Sequence, residues 1–255
     1  MLVRVSAISY LNTLPFIYGL KNHPVNSKVE FLIDTPARSA DNLLGGLCDV
    51  GIVPTVTLLE NKHLSIISDF CIASDSDVAS VLLCSSLPVN EIKRIYLDSE
   101  SRTSNLLCRI LVKKHWRIEV EFSIYDHSHT DNDTECAYVL IGDKALKRAS
   151  EFKYVYDLAH EWREFKSLPF VFACWTANKE LDSEFLEEFN QALKFGVENI
   201  EKSVNTLEHG FDQSFAINYL KNNISYNLSP DKREGLSEFW SLALEELKSK
   251  VRWFG

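Results

Sequence analysis

The chain has 255 residues, of which 45% are hydrophobic, 25% charged and 11% aromatic, with only 9 Gly and 7 Pro. Those proportions suit one large domain or two smaller lobes and exclude disordered, collagen-like and fibrous classes. A formal charge of −9, with no dense Lys/Arg stripe, opposes a nucleic-acid surface, although net charge limits bulk partners and not the local field inside a pocket.

Short β-branched runs alternate with helical patterns up to about residue 175. The patterning predicts strands at 2–8, 28–33, 49–53, 64–70, 78–84, 94–97, 118–124, 136–141 and 170–175, with helices at 39–47, 55–61, 103–114 and 143–149. Alternation of this kind implies an α/β layer fold. Three helices are then predicted near 182–201, 205–222 and 229–249. The last has Ser229 as cap, Pro230 at its first position, and Leu236, Phe239, Trp240, Ala243 and Leu247 as an apolar stripe that must bury. These late helices are expected to close the fold as a layer.

No apolar run approaches the roughly 18 residues of a membrane span. The first residues lack the basic start, apolar stretch and small-residue cleavage site of a secretory signal. A cytoplasmic location without a membrane partner is therefore expected. Cys48, Cys71, Cys84, Cys108, Cys136 and Cys174 stand singly, mostly in apolar stretches, and read as reduced, buried thiols. The stretch 126–135, "DHSHTDNDTE", is acidic but has neither EF-hand nor zinc spacing, and reads as a surface loop.

Chemistry is concentrated where predicted strands end. After "LVRVSAI" come Ser9, Tyr10, Asn12 and Thr13, before the chain restarts with Leu14-Pro15-Phe16. After "RIYL" come Asp98, Ser99, Glu100, Ser101, Arg102, Thr103 and Ser104 and then a helix, with Ser101 or Thr103 as cap. First-turn N–H groups with hydroxyls and an Arg beside them suit a carboxylate or phosphate. Thr55, the expected cap of the helix after Val53, and Asp143 after "LIG" repeat the construction. Open α/β sheets bind ligands beyond the carboxyl ends of their strands. Dinucleotide, phosphate-loop, nucleophile-elbow and zinc-protease motifs are absent, and none of the seven His lies in these strand ends.

The stretches "ISYLNTLPF", "DVGIVPTVTLLE", "VASVLL", "LDSESRTSNLLCRILV", "YVLIGDKAL", "DLAHEW" and "LPFVFACWTA" occur in that order. Together they resemble the chorismate dehydratases of the futalosine route to menaquinone. The resemblance implies a two-lobed type II periplasmic-binding-protein-like α/β fold with a ligand cleft. Residues 1–85 and 175–255 would form lobe 1 and 86–174 lobe 2, with crossings near "CSSLPVN" and "LPFVFACW" acting as a hinge. It implies dianionic chorismate as the small-molecule partner, with no cofactor and no metal; it sets no oligomeric state. Asn12 and Ser80 would be catalytic, while Ser9, Tyr10, Thr55, Ser101, Arg102, Thr103, Ser104 and Asp143 would bind substrate. Rival readings are the 1,4-dihydroxy-6-naphthoate synthase of the same pathway and a non-catalytic solute-binding protein for a small carboxylate. Plain roles also stand beside these: Asn12 as a turn residue, Ser80 as a satisfied buried hydroxyl, Arg102 in a surface salt bridge, Asp143 as a helix cap, and Trp162, Phe170 and Trp175 as packing groups.

Overall fold

The computed structural model describes residues 2–125 and 135–251. In chain order, β1 (Val3–Ile8) leads through a 3-10 turn (Leu11–Thr13) into α1 (Leu14–Asn22). Then come β2 (Val29–Asp34), α2 (Pro36–Leu44), β3 (Val50–Pro54), α3 (Thr55–Glu60) and β4 (Ser65–Ser74). The middle of the chain holds β5 (Val81–Ser85), β6 (Arg94–Leu97), α4 (Arg102–Ile110), which continues into a π-helical turn (Leu111–Trp116), and β7 (Glu121–Ile124). After it follow β8 (Cys136–Ile141), α5 (Gly142–Arg148), β9 (Tyr154–Asp157) and α6 (Leu158–Lys166). The remainder is β10 (Phe170–Ala177), α7 (Ser183–Glu198), α8 (Ile200–Thr206), α9 (Gln213–Asn222), β11 (Ser225–Asn227) and α10 (Pro230–Val251).

These elements form two compact units. The first comprises Met1–Ala73 and Val171–Ser229, the second Ser74–Phe170 and Pro230–Gly255. The first is built on a six-stranded sheet of order β11-β4-β10-β3-β1-β2. In it β1 runs parallel to β2 and β3, while β10 runs antiparallel to β3. Every residue of β3 and β10 is buried, which is why both read as continuous apolar runs: each face of a central strand is covered. On one face Phe16 of α1 meets Trp175 at 5.8 Å and Tyr226 at 5.2 Å, both edge-on. Such aromatic pairs add roughly 0.5–1.5 kcal/mol to their area burial.

The second unit has a five-stranded sheet of order β7-β6-β8-β5-β9. Here β5 lies antiparallel to β8 and β9, and β6 lies parallel to β7 and β8. Trp162 of α6, Phe170 and Phe239 of α10 close an edge-to-face triad with centroids 5.0–6.2 Å apart. That triad explains a difference from expectation: the stripe of α10 buries in the second unit, whereas the sequence reading places 175–255 wholly in lobe 1. Trp162 and Trp175 are fully buried packing groups.

The late region holds four helices where three are expected, because the chain breaks at Asn199 and again at 207–212, where Asp212 caps α9 through the Phe215 N–H. Two helices, α1 and α6, and two short strands, β9 and β11, are additional to the expected elements. All six cysteines are free and buried. The acidic stretch 126–135 lies outside the described residues apart from Glu135. No described helix is long and apolar enough to cross a membrane.

Candidate functional site

In the first unit, the parallel register Ser6↔Gly51 and Ile8↔Asp34 brings the carboxyl ends of β1, β2 and β3 level. Ser9, Tyr10, Asn12 and Thr55 therefore collect at one end of one sheet. The polar run after β1 folds as a 3-10 turn closed by the Thr13 N–H on Tyr10 O at 3.1 Å, and Thr13 bonds it from within, its hydroxyl proton shared between Ile8 O at 2.5 Å and Tyr10 O at 2.8 Å. The Tyr226 hydroxyl, from β11, donates to Asn12 O at 3.0 Å. The backbone of Asn12 is thus fixed from two sides, while its half-buried amide has no hydrogen-bond partner among the described residues. A polar group fixed in place and left unpaired is available to a ligand.

Thr55 is corrected as a cap. Pro54 occupies the cap position, and the fully buried Thr55 hydroxyl donates across to Val171 O at 3.1 Å. Asp34, at the end of β2, accepts from Ser6 Oγ at 3.2 Å and Asn42 Nδ2 at 2.7 Å. At the opposite end of the sheet Asp49 accepts from Arg4 and pairs with Lys179 at 2.9 Å. The Arg4 hydrogen bond, aided by Lys179, holds the Asp49 carboxyl well below the usual carboxylate range.

In the second unit, the registers Val81↔Ile141, Leu82↔Asp157 and Tyr96↔Tyr138 bring the start of β5 level with the ends of β6, β8 and β9. Ser80, the Ser101–Ser104 run and Asp143 gather there. Ser101 caps α4, its Oγ accepting the Ser104 N–H at 3.2 Å. Ser80, Ser101, Thr103 and Ser104 are all buried, and Arg102 and Asp143 are half-buried in the first turns of α4 and α5. Asp143 is not the cap of α5; Ile141 holds that position.

Three groups that the strand-end motifs do not single out complete this end. Lys144, one residue past Asp143, pairs with the buried Asp98 at 2.8 Å and with Glu100 at 3.1 Å. Burial pulls the Lys144 ammonium down, but the two carboxylates outweigh it and leave its pKa above the usual value. Asp98 also accepts the Glu100 N–H at 2.9 Å, which shapes the loop ahead of Ser101. Asp157 caps α6 through the Ala159 and His160 N–H groups. Burial raises its carboxyl pKa despite those bonds. Its signal is present in the sequence as an Asp before an apolar-periodic run. The Lys144–Asp98 pair spans distant segments and leaves no local pattern.

The donors at both strand-end clusters are amides, hydroxyls and first-turn N–H groups, a set that holds carboxylates and oriented hydroxyls. Among the described residues, no three His, Cys, Asp or Glu side chains are grouped so as to hold a metal ion.

Comparison with known proteins gives the fold and the family. The chorismate dehydratase of Campylobacter jejuni subsp. jejuni serotype O:23/36 (strain 81-176) is 27% identical over 190 residues, 71% of each chain. Protein AF1704 from Archaeoglobus fulgidus has a TM-score of 0.75 at 17% identity, over 96% of this chain and 97% of that one. The periplasmic aliphatic sulphonate binding protein SsuA from Escherichia coli has a TM-score of 0.65 at 13% identity, over 96% and 92%. At such identities the structural likeness concerns the fold alone, and that fold is the two-lobed α/β fold of type II periplasmic binding proteins. The family described as menaquinone biosynthesis matches residues 3–245, a span that takes in both strand-end clusters. This chain belongs to that menaquinone biosynthesis family.

Proposed function

We propose that this protein is a chorismate dehydratase, an enzyme that removes water from chorismate to give 3-[(1-carboxyvinyl)oxy]benzoate on the futalosine route to menaquinone. The observation that carries the reading is membership of the menaquinone biosynthesis family over residues 3–245, supported by a relative named chorismate dehydratase.

The chemistry asks little of the protein beyond placement. Loss of the C3 proton and of hydroxide from C4 makes the ring aromatic, so the driving force resides in the substrate. The ring carboxylate is conjugated to C3, and donors on that carboxylate stabilise the charge that develops during deprotonation. We assign this task to the first turn of α4, with Ser101, Arg102, Thr103 and Ser104. Ser9, Tyr10 and Asp143 are assigned to substrate binding, while Thr55, with its buried hydroxyl bonded to Val171 O, supports the strand end beside them.

The amide of Asn12 is assigned to the leaving hydroxyl or a substrate carboxylate, and the hydroxyl of Ser80 to holding the reacting geometry. The substrate's own enolpyruvyl carboxylate accepts the C3 proton in this reading, since neither cluster contains a His. Positioning of this kind can lower a barrier by several kcal/mol.

The test is to mix purified protein with chorismate, without added cofactor, and follow the ultraviolet spectrum and the product mass. Loss of one water is expected. An unchanged substrate that nevertheless raises Tm would indicate a carboxylate receptor; neither change would redirect the assay to the substrate of the naphthoate synthase. For Asn12, Asn12→Ala is expected to lower turnover with substrate binding retained, and full activity in Asn12→Asp would remove its assigned role.

A further inference from the structure

Ser80 sits in an unusual backbone. Ala79, immediately before it, has φ of +60°, in the left-handed region that costs an L-residue free energy and favours glycine. The other described non-glycine residues with positive φ, Arg117 and Ser167, terminate helices, where that conformation is ordinary. Ala79 ends no helix, so something else holds it there.

The holder is visible. The Ala79 N–H donates to Asp157 Oδ2 at 2.6 Å, while Oδ1 of the same carboxylate accepts the Ala159 N–H at 3.0 Å and the His160 N–H at 3.2 Å. Asp182 and Asp212 also cap helices, but each accepts only from the first turn of its own helix. Asp157 differs in reaching across to a second segment. That segment is fastened further by the His160–Asp77 pair at 2.8 Å, by the buried Lys232 on Asp75 at 2.9 Å, and by Arg163, which donates to Asp75 O. On its other side Ser80 O accepts the N–H of Gly142 at 2.8 Å, and Gly142 also has positive φ, at +56°.

We infer that Asp157 is a positioning residue for Ser80: by accepting the Ala79 N–H it keeps the preceding residue left-handed and so aims the Ser80 hydroxyl, with Gly142 fixing the opposite side. This deepens the dehydratase proposal and rests on Ser80 acting in it. A helix cap alone would contribute to stability and leave turnover untouched, and the two roles separate on that point.

The experiment compares Asp157→Asn, Asp157→Asn/Ala79→Gly, Ser80→Ala and the control Asp182→Ala, reading kcat, KM and Tm with chorismate. Asn keeps the shape and one acceptor oxygen but cannot accept from both segments as the carboxylate does, with the Ala79 N–H on one oxygen and the Ala159 and His160 N–H groups on the other. Expected for Asp157→Asn is a fall in kcat of about tenfold with KM within about twofold. Glycine at position 79, which adopts the left-handed region freely, should restore at least a third of the lost kcat. Asp182→Ala should lower Tm with kcat unchanged. An Asp157→Asn protein with lowered Tm and full kcat would make Asp157 a cap only and overturn the inference. Full activity in Ser80→Ala would instead remove the role of Ser80 on which the inference rests. If Asp157→Asn fails to fold, Asp157→Ser decides, since serine still caps α6 but is too short to reach the Ala79 N–H as well: a selective fall in kcat supports the device, and an unchanged kcat overturns it.

Discussion

Replacing Gly196 by alanine tests how the first unit is packed. Gly19 of α1 and Gly196 of α7 lie against each other so closely that a Cβ on Gly196 would stand 1.9 Å from Pro15 O and 2.8 Å from Pro15 C. Ordinary contact begins at 3.4 Å, so the helices must part by about 1.5 Å. The obstacle is backbone, which cannot swing aside as a side chain can. Overpacking of this kind costs up to about 3 kcal/mol, against which alanine regains about 1 kcal/mol of helix propensity. The expected net loss is therefore about 2 kcal/mol, or a fall of about 4–8 °C in the Tm of a chain this long. Urea titration and calorimetry would measure it. A Gly196→Ala protein as stable as the parent, or more so, would mean that α1 and α7 do not meet through these glycines. Pro15 lies three residues beyond Asn12, so the same displacement should also reduce turnover.

Three further outcomes are expected. Gly235→Ala, whose Cβ would stand 2.2 Å from Pro169 O, should destabilise by a similar ~2 kcal/mol, with hydrogen exchange accelerated in α10; unchanged exchange there would refute the packing of α10 within the second unit. Asp49 has a carboxyl pKa depressed by Arg4, so its stabilisation is present above its unfolded value of about 3.9 and is lost as pH falls below it. The urea-midpoint gap between the parent and Asp49→Asn should accordingly shrink on acidification from pH 6 to 3, and a widening gap would reverse the assigned sign. Burial pushes the Cys48 thiol up to about 11 and the Cys84 and Cys108 thiols to about 12, leaving roughly one thousandth or less as thiolate at pH 8. A thiol reagent should therefore label fewer than one cysteine per chain in the native state and all six in urea; rapid native labelling of two or more would contradict the burial.

The legible part of the fold is whatever carries its own period. Strands such as "CAYVLI" and "FVFACWTA" are buried throughout, and β-branched apolar runs of that length announce themselves. The Ser101 cap is equally plain, because the chemistry of a cap is local. Helix α1 is not legible: Leu14 through Leu20 are all buried, and a helix apolar all round lacks the polar face that gives a 3.6-residue period. Strands β9 and β11, four and three residues long, are too short to show alternation. The stripe on α10 announces its need for burial, but the partner that receives it, Phe170 and Trp162, is a long-range fact. The same limit hides Tyr226, whose hydroxyl holds Asn12 from 214 residues away.

That last case bears on how the candidate site is built. The motifs visible in sequence are the groups proposed to touch substrate, whereas the groups that hold them come from far along the chain: Tyr226 for the Asn12 turn, Asp157 and Gly142 for Ser80, and Lys144 for the loop ahead of Ser101. A strand end cannot fix its own polar side chains, because the ladder that orders the backbone stops there. Outside bonds must replace it: Tyr226, Asp157 and Gly142 each bind a backbone atom of the strand ends, and Lys144 binds the Asp98 carboxylate that shapes the loop ahead of Ser101. Where the replacement also demands a left-handed alanine, local preference has yielded to placement, which is what the proposed role of Ser80 requires. On the proposed roles, turnover should therefore fall in Asp157→Asn and in Tyr226→Phe, which remove the hydrogen bonds to the Ala79 N–H and to Asn12 O, and full kcat in both would refute the reasoning.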